Sequence, residues 1–380
     1  MSPPGGMHVK PNLVCKLRRT LYGLKQAPAE WNKRFDEFAK TLGYVRCNAD
    51  RCLYVLKQGN VASYLLLYVD DVILAGASSN FLNSVKSKLM HEFKMRDRGE
   101  LTYFLGIKIN RSEGMLCMSQ TSYLKSVLNK FGMSSCASVK TPLLLRSNQP
   151  EPVSKSIVGI KPYRELIGSL MYACMATRPD ICVAVNYFSQ FQTCATEEHW
   201  KGLKRILRYI QGTLDYELGF KGNSEVPLLA YADSDFANNF DRKSVSGSVI
   251  EVFGDVVIWN TKKQSTVALS STEAEFVALA TTTAEVLWVK QLLLEIGVNC
   301  SKPVRIFEDN QSCINSLESW STKRLKHIDI KYNFVKDLQQ SKIISVKYIQ
   351  SSDQKADIMT KPLAVEIFNR HLTNFGIIKR

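Results

Sequence analysis

Residues 62–76 read Ala-Ser-Tyr-Leu-Leu-Leu-Tyr-Val-Asp-Asp-Val-Ile-Leu-Ala-Gly, so that two apolar runs flank the acidic pair Asp70-Asp71. Short apolar runs interrupted by turn-forming residues are typical of β-hairpins. The stretch therefore predicts a hairpin with two carboxylates near its tip. A plain Asp-Asp turn would account for it, but adjacent carboxylates repel, and binding of a divalent cation is one reason to keep both.

The regions on either side of this hairpin alternate helical and extended patterns. Upstream, Trp31, Phe35, Phe38 and Leu42 recur at helical spacing and are followed by Gly43, which predicts a helix end. Downstream, short strands are predicted at Leu101–Ile109 and Met115–Met118, and a proline-bearing stretch then marks a linker or crossing. Helical patterns resume at Tyr163–Ala176, Ile181–Phe191 and Thr196–Gln211.

From Val226 onward the pattern becomes strand, hairpin, helix, strand, helix, strand and helix. Alternation of this kind predicts a mixed sheet covered by helices, and the fold class is α/β (α+β). The predicted elements are Leu228–Ala232, a hairpin over Ser248–Trp259 turning at Gly254-Asp255, Thr272–Ile296, Val304–Phe307, Lys326–Leu338, Ile343–Ile349 and a final helix.

The overall composition narrows the classes of partner and site. A formal charge of +15 favours a polyanion such as nucleic acid as partner, although solvated lysines give the same number. Ten cysteines without a CxxC pair, and five histidines that do not cluster with them, disfavour a zinc site or a disulfide framework. No signal peptide and no run of 18 apolar residues is present, which predicts a soluble, intracellular protein.

Four further acids stand at ordered positions in the last 150 or so residues. They are Asp233 after an apolar strand, Glu275 near a helix start, Asp309 after a strand and Asp357 in a late helix. Each has an ordinary structural explanation. Asp233 can start a turn, either Glu273 or Glu275 fits a capping box, Asp309 can precede a helix capped by Asn310, and Asp357 can be a surface acid.

Several segments resemble the Pol polyprotein of copia-type LTR retrotransposons. Tyr68-Val-Asp-Asp71, Leu21-Tyr-Gly-Leu-Lys-Gln-Ala-Pro28 and Phe104-Leu-Gly-Ile-Lys108 are similar to its reverse transcriptase. Asp241-Arg-Lys-Ser-Val-Ser-Gly247, Ala268-Leu-Ser-Ser-Thr-Glu-Ala-Glu-Phe276 and Lys326-His-Ile-Asp-Ile330 are similar to the ribonuclease H of the same group.

The resemblance implies three domains. Residues 1–140 would form a partial reverse-transcriptase palm without fingers, 141–223 a helical thumb or connection region, and 224–380 a ribonuclease H-like mixed sheet with flanking helices. It also implies that Asp70 and Asp71 hold Mg²⁺ for nucleotidyl transfer, and that Gln26 lies under the incoming nucleotide.

For the ribonuclease H part, the resemblance implies that Asp233, Glu275, Asp309 and Asp357 hold two Mg²⁺ ions, with Mn²⁺ as a substitute. Helical spacing does not choose between Glu273 and Glu275, and the family match favours Glu275. Asp235 is the second choice to Asp233. His327 and Asp329 are interpreted as helix positions that pack or touch a phosphate. Relatives often carry a histidine before the last acid, and Ile349-Gln-Ser-Ser-Asp353 has none.

One departure from the family changes the expected activity. The family has another metal-binding Asp upstream of Leu21, and Met1-Ser-Pro-Pro-Gly-Gly resembles the stretch that follows the segment bearing it. We therefore expect no polymerase activity from this chain alone.

The expected function is Mg²⁺-dependent cleavage of RNA in RNA–DNA hybrids, and the alternatives are a catalytically silent nucleic-acid-binding remnant or a poorly folding fragment. Expected partners are an RNA–DNA hybrid, a template-primer and other parts of the Pol polyprotein, with no membrane. The expected location is a cytoplasmic retroelement particle, the nucleus or both.

Overall fold

The computed structural model describes the 380-residue chain apart from residues 1, 4, 8–9, 11–12, 60, 113, 146–155 and 319–328. The chain forms two compact units. The first comprises residues 1–99 with 295–297, and the second comprises residues 100–294 with 298–380.

The first unit contains one antiparallel sheet in the order β1-β2-β3-β4. Its elements are α1 (Ala27–Thr41), β1 (Val45–Arg46), β2 (Leu53–Gln58), β3 (Val61–Tyr68), β4 (Asp71–Gly76) and α2 (Ser79–Glu92). The predicted helix face and the predicted hairpin are both confirmed. Phe35 of α1 is fully buried and stacks on Phe93 with ring centroids 5.7 Å apart, and Gly43 with φ +88° ends the helix.

The remaining elements lie in the second unit, apart from the last two residues of its longest helix, α7, which belong to the first. The elements are β5 (Tyr103–Phe104), β6 (Ile107–Ser112), β7 (Met115–Ser119), α3 (Thr121–Lys130), α4 (Tyr163–Ala176), α5 (Cys182–Ser189), α6 (Glu197–Gln211), β8 (Tyr216–Phe220), β9 (Leu228–Asp235), β10 (Val245–Val252), β11 (Asp255–Lys263), α7 (Ser271–Ile296), β12 (Val304–Glu308), α8 (Gln311–Glu318), α9 (Asp329–Gln340), β13 (Ile344–Tyr348), α10 (Val365–Asn374) and β14 (Ile377–Lys379). Short 3₁₀ helices lie at Pro179–Ile181, Ser351–Asp353 and Lys355–Met359.

A mixed five-stranded sheet in the order β11-β10-β9-β12-β13 lies at the centre of the C-terminal part. Strands β9, β10 and β11 are antiparallel, whereas β12 runs parallel to both β9 and β13. This is the expected ribonuclease H-like arrangement, so the predicted fold class is confirmed. Strand β9 is longer than predicted and continues through Asp233 to Asp235.

A second five-stranded sheet has the order β14-β8-β7-β6-β5 and is antiparallel throughout. Its strands come from all three of the predicted domains. Strands β5–β7 lie within residues 1–140, β8 lies within 141–223, and β14 lies within 224–380. The predicted domain limits remain a prediction.

Helix α7, with 26 residues, is long and apolar enough that by length and composition alone it would suit a membrane span. Half of its most apolar stretch is buried inside the protein. The buried residues include Phe276, Leu279 and Val286, as is typical of the core helix of a globular unit.

A charged side chain, that of Arg178, is buried in the second unit between α4 and α6. The guanidinium of Arg178 is almost fully buried and donates to both carboxylate oxygens of Asp180, at 2.7 and 3.0 Å. It also donates to the backbone oxygen and the hydroxyl of Thr213, at 3.1 and 2.6 Å. The hydroxyl of Tyr209 donates to Asp180 at 2.7 Å, so the ion pair is hydrogen-bonded on both sides.

Candidate metal-binding active site

Three of the predicted site acids lie together at one end of the mixed sheet. Strands β9 and β12 are parallel and Tyr231 pairs with Phe307, so Asp233 and Asp309, two residues further along each strand direction, lie at the same end. The first turns of α7 add Glu275. One carboxylate oxygen from each of the three acids lies within 4.8 Å of the others.

The surroundings of this group suit a hard divalent cation. Asp233 and Glu275 are only 2% and 6% exposed, and Asp309 is half-buried. Thr360 donates to Asp233 at 2.6 Å and Ser351 donates to Asp309 at 2.6 Å, which orients both carboxylates. The Oε2 atom of Glu275 is buried without a hydrogen-bond partner. A buried carboxylate oxygen without a partner, in an all-oxygen set, fits Mg²⁺ ligation.

The same burial makes the acids hard to ionise without a cation. Burial and then the charge of Asp357 raise the pKa of Asp233 to about 7. Burial and then the charge of Glu308 raise the pKa of Glu275 well above its ordinary value. A bound cation would favour the ionised forms of both groups.

Asp357, the fourth predicted acid, is not a member of this three-acid group, although its charge acts on Asp233. It lies in the 3₁₀ helix Lys355–Met359, and its carboxylate pairs with Lys361 at 2.8 Å. The close approach of the segment that carries Asp357 to the sheet depends on Gly247 of β10, which pairs with Asp233. A Cβ on Gly247 would lie 2.6 Å from the Cγ2 atom of Thr360 and 2.9 Å from the backbone oxygen of Ala356. Glycine at this position therefore lets the segment that carries Asp357 pack against the sheet.

The structure also separates the acids for which the sequence left a choice. Glu273 accepts a hydrogen bond from the backbone N–H of Leu269 at 2.7 Å, and its own N–H donates to Ser270 at 3.2 Å. It therefore caps α7, while Glu275 joins the acidic group. Asp235 accepts from Asn238 at 3.0 Å and is not a member of that group.

Glu308 is a fifth acid next to the group that the sequence analysis missed. It is fully buried at the end of β12; one carboxylate oxygen accepts from the N–H of Asn310 at 3.1 Å, and the other has no partner. Burial raises its pKa well above its ordinary value. The two-residue period of β12 was the available signal, because it places Glu308 on the same face as the buried Val304 and Ile306.

The predicted polymerase residues lie in the first unit. Asp70 occupies the two-residue turn between β3 and β4, Asp71 begins β4, and both are exposed. Val69 of this turn has φ +53°, which is unusual for a β-branched residue, and its backbone oxygen accepts from Nε1 of Trp31 at 2.8 Å. Exposed Gln26 precedes α1, the helix that carries Trp31.

Within the described ranges no third acid, histidine or cysteine forms a metal-sized group with Asp70 and Asp71. His327, together with residues 326 and 328 of the predicted helix start, lies outside the described residues. Asp329 begins α9 and accepts from Asn333 at 3.0 Å.

Comparisons with known proteins show what the chain as a whole is similar to. The family model described as reverse transcriptase (RNA-dependent DNA polymerase) matches residues 1–145. The Retrovirus-related Pol polyprotein from transposon RE1 of Arabidopsis thaliana is 37% identical over 100% of this chain and 26% of its own length. The putative transposon Ty5-1 protein of Saccharomyces cerevisiae is 30% identical over 75% of this chain and 94% of its own length.

Among solved structures, LC11-RNase H1 in complex with an RNA/DNA hybrid matches 35% of this chain and 93% of its own, with 12% identity and a TM-score of 0.28. The chain spans about a quarter of the length of the first of these Pol polyproteins. Its similarity to that relative nevertheless extends over all 380 residues, through both the hairpin and the acidic group. The chain therefore belongs to the copia-type retrotransposon Pol polyprotein family, of which it carries a reverse transcriptase region.

Proposed function

We propose that the chain cleaves the RNA strand of RNA–DNA hybrids with divalent metal ions held by Asp233, Glu275, Asp309 and Asp357. The observation that carries the proposal is the convergence of two buried carboxylates and one half-buried carboxylate within 4.8 Å at one end of the mixed sheet. Paired divalent ions would activate a water molecule and stabilise the leaving oxyanion. Thr360 and Ser351 hold two of the carboxylates in place for this role.

The direct test uses a hybrid with a labelled RNA strand, an RNA duplex and the single-stranded RNA as parallel substrates. We expect cleavage of the hybrid RNA with Mg²⁺ or Mn²⁺ and none with EDTA. Binding of the hybrid without cleavage under any metal condition would instead favour the silent nucleic-acid-binding alternative, which the charge of +15 also favours.

For nucleotide incorporation we expect no activity from the 380-residue chain by itself. Asp70 and Asp71 form no metal-sized group with a third acid among the described residues, and two-metal nucleotidyl transfer depends on a complete ligand set. The measurement is incorporation of labelled nucleotide on a primed RNA template, with a complete reverse transcriptase as positive control. Incorporation that Asp70→Asn abolishes would contradict this expectation.

The metal-free protein should become less stable as the pH rises. The pKa of Asp233 is about 7 in the folded state against an ordinary value of 3.8. Between these two pH values the folded state keeps a proton on Asp233 that the unfolded state has released. The free energy of unfolding therefore falls as the pH rises through that window. Thermal midpoints in EDTA at about pH 5 and about pH 8 test this.

Two additions make this measurement specific to the acidic group. Mg²⁺ should raise the thermal midpoint more at the higher pH, because a cation replaces protons on the carboxylates. Asp233→Asn should weaken the pH dependence, since its amide does not titrate. An equal pH dependence in the variant would assign the effect to other groups.

The partners follow from the same proposal. A template-primer and an RNA–DNA hybrid are the proposed nucleic acids, other parts of a Pol polyprotein are proposed protein partners, and no membrane is involved. The proposed location is a cytoplasmic retroelement particle, the nucleus or both.

A further inference from the structure

A cleft of about 440 Å³ lies in the second unit directly beside the acidic group. Helix α5 and the separate segment 143–145 form one wall of the cleft. The end of β9 and the loop that follows it form the other wall. Thr360 also lines the cleft, and its hydroxyl donates to Asp233 at 2.6 Å. The cleft is thus one side chain away from the carboxylates, and its volume lies within the roughly 300–1,000 Å³ of ligand pockets.

The charge of the cleft indicates which part of a nucleotide it suits. Asp235 is the single charged side chain among the described residues that line it, and no lysine or arginine is among them. The lining itself contributes one negative charge and no positive charge, which disfavours a phosphate group; Lys361 acts on Asp235, and Lys263 is bound to Gln190, from outside the lining. The neutral ribose and base of a nucleotide are compatible with it, and the apolar surfaces of Val183, Leu144 and Tyr187 would cover their faces.

Two amide side chains of the α5 wall are held in fixed orientations. Nδ2 of Asn186 donates to the backbone oxygen of Thr261 at 2.9 Å, and Oε1 of Gln190 accepts from Nζ of Lys263 at 2.6 Å. These bonds leave Oδ1 of Asn186 as an acceptor and Nε2 of Gln190 as a donor. The two residues are four positions apart and therefore lie on the same side of the helix.

An acceptor and a donor side by side match a hydroxyl group, which both donates and accepts. The 2′-hydroxyl is the group that distinguishes RNA from DNA at a given position. We propose that this cleft binds the ribose and base of the RNA-strand nucleotide next to the phosphate held at the carboxylates. Asn186 and Gln190 then recognise its 2′-hydroxyl as specificity-determining residues. The inference rests on the proposed ribonuclease function and adds α5, from outside residues 224–380, to its substrate site.

The test measures binding rather than cleavage. Fluorescence anisotropy with Ca²⁺ in place of Mg²⁺ gives the affinity of the full chain for an RNA–DNA hybrid and for a DNA duplex of the same sequence, with a cation still present at the carboxylates. We expect Asn186→Leu and Gln190→Leu each to weaken hybrid binding by about 3- to 10-fold, the effect of one lost hydrogen bond, with duplex binding unchanged. Gln192→Leu is the matched control, because this amide donates to the backbone oxygen of Ser189 and does not line the cleft.

The outcomes separate the two proposals. Equal losses for hybrid and duplex, no loss in either variant, or the same loss in Gln192→Leu would overturn the role of the cleft. A chain that never cleaves but shows the expected change in hybrid preference would refute only the ribonuclease function. Thermal midpoints identify any unfolded variant, and Gln190→Leu at the end of α5 then decides if Asn186→Leu fails to fold.

Discussion

Asp309→Asn is expected to reduce cleavage of the hybrid RNA strand by at least about 100-fold. Loss of a residue that only supports a metal ligand reduces activity by up to about 100-fold, and Asp309 is proposed as a ligand itself. Asp309 supplies one of the three carboxylate oxygens that lie within 4.8 Å of one another, and Ser351 already orients it. An amide of the same shape keeps the packing but removes the negative charge that attracts a divalent cation. Initial cleavage rates at saturating hybrid provide the measurement.

A matched pair of glutamates on α7 controls for general damage to the fold. Glu275→Gln should lose activity as Asp309→Asn does, because Glu275 belongs to the acidic group. Glu273→Gln should keep it, because a glutamine oxygen can still accept the hydrogen bond from the backbone N–H of Leu269. Full cleavage by Asp309→Asn would show that the catalytic assignment is wrong.

The largest effect on stability is expected from Arg178→Met, which should lower the free energy of unfolding of the second unit by about 3–5 kcal/mol. Methionine fills much of the same volume but leaves the carboxylate of Asp180 buried with Tyr209 as its remaining side-chain partner. A buried charge without its counter-ion is far more costly than the loss of a surface pair. Urea denaturation followed by tryptophan fluorescence measures the change.

Lys130→Met is the control for this measurement. Lys130 pairs with Glu165 at 2.5 Å, but about half of each side chain is exposed, so we expect a loss of at most about 1 kcal/mol. If Arg178→Met costs no more than this surface variant, the buried pair does not stabilise the unit as argued. Arg178→Met combined with Asp180→Leu should recover part of the loss, since no unpaired charge then remains.

Local elements were predicted well where one apolar pattern determines them. The helix Tyr163–Ala176 was predicted to the residue, and the hairpin around Asp70-Asp71 was found where its two apolar runs placed it. Strand β9 was predicted too short, because its last residues are the polar Asp233, Ser234 and Asp235, whose burial depends on tertiary contacts.

The candidate site was predicted in part, through acids at the ends of strands and the start of a helix. The sequence identified Asp233, Glu275 and Asp309, and the parallel pairing of β9 with β12 brings the two aspartates together. Glu308 and the α5 wall of the cleft were missed. The first looked like part of an apolar strand, and the second depends on contacts between segments far apart in sequence, which local patterns do not encode.

The position of β14 in its sheet has a consequence for synthesis of the protein on the ribosome. Strand β8 pairs with β7 on one side, but its other edge is covered by β14, which follows roughly 160 residues later. At about 5–20 residues per second this edge stays open for roughly 10–30 s during translation. An unpaired strand edge is a template for pairing with another nascent chain. Chaperone dependence and aggregation during expression should therefore be sensitive to translation speed between residues 220 and 377.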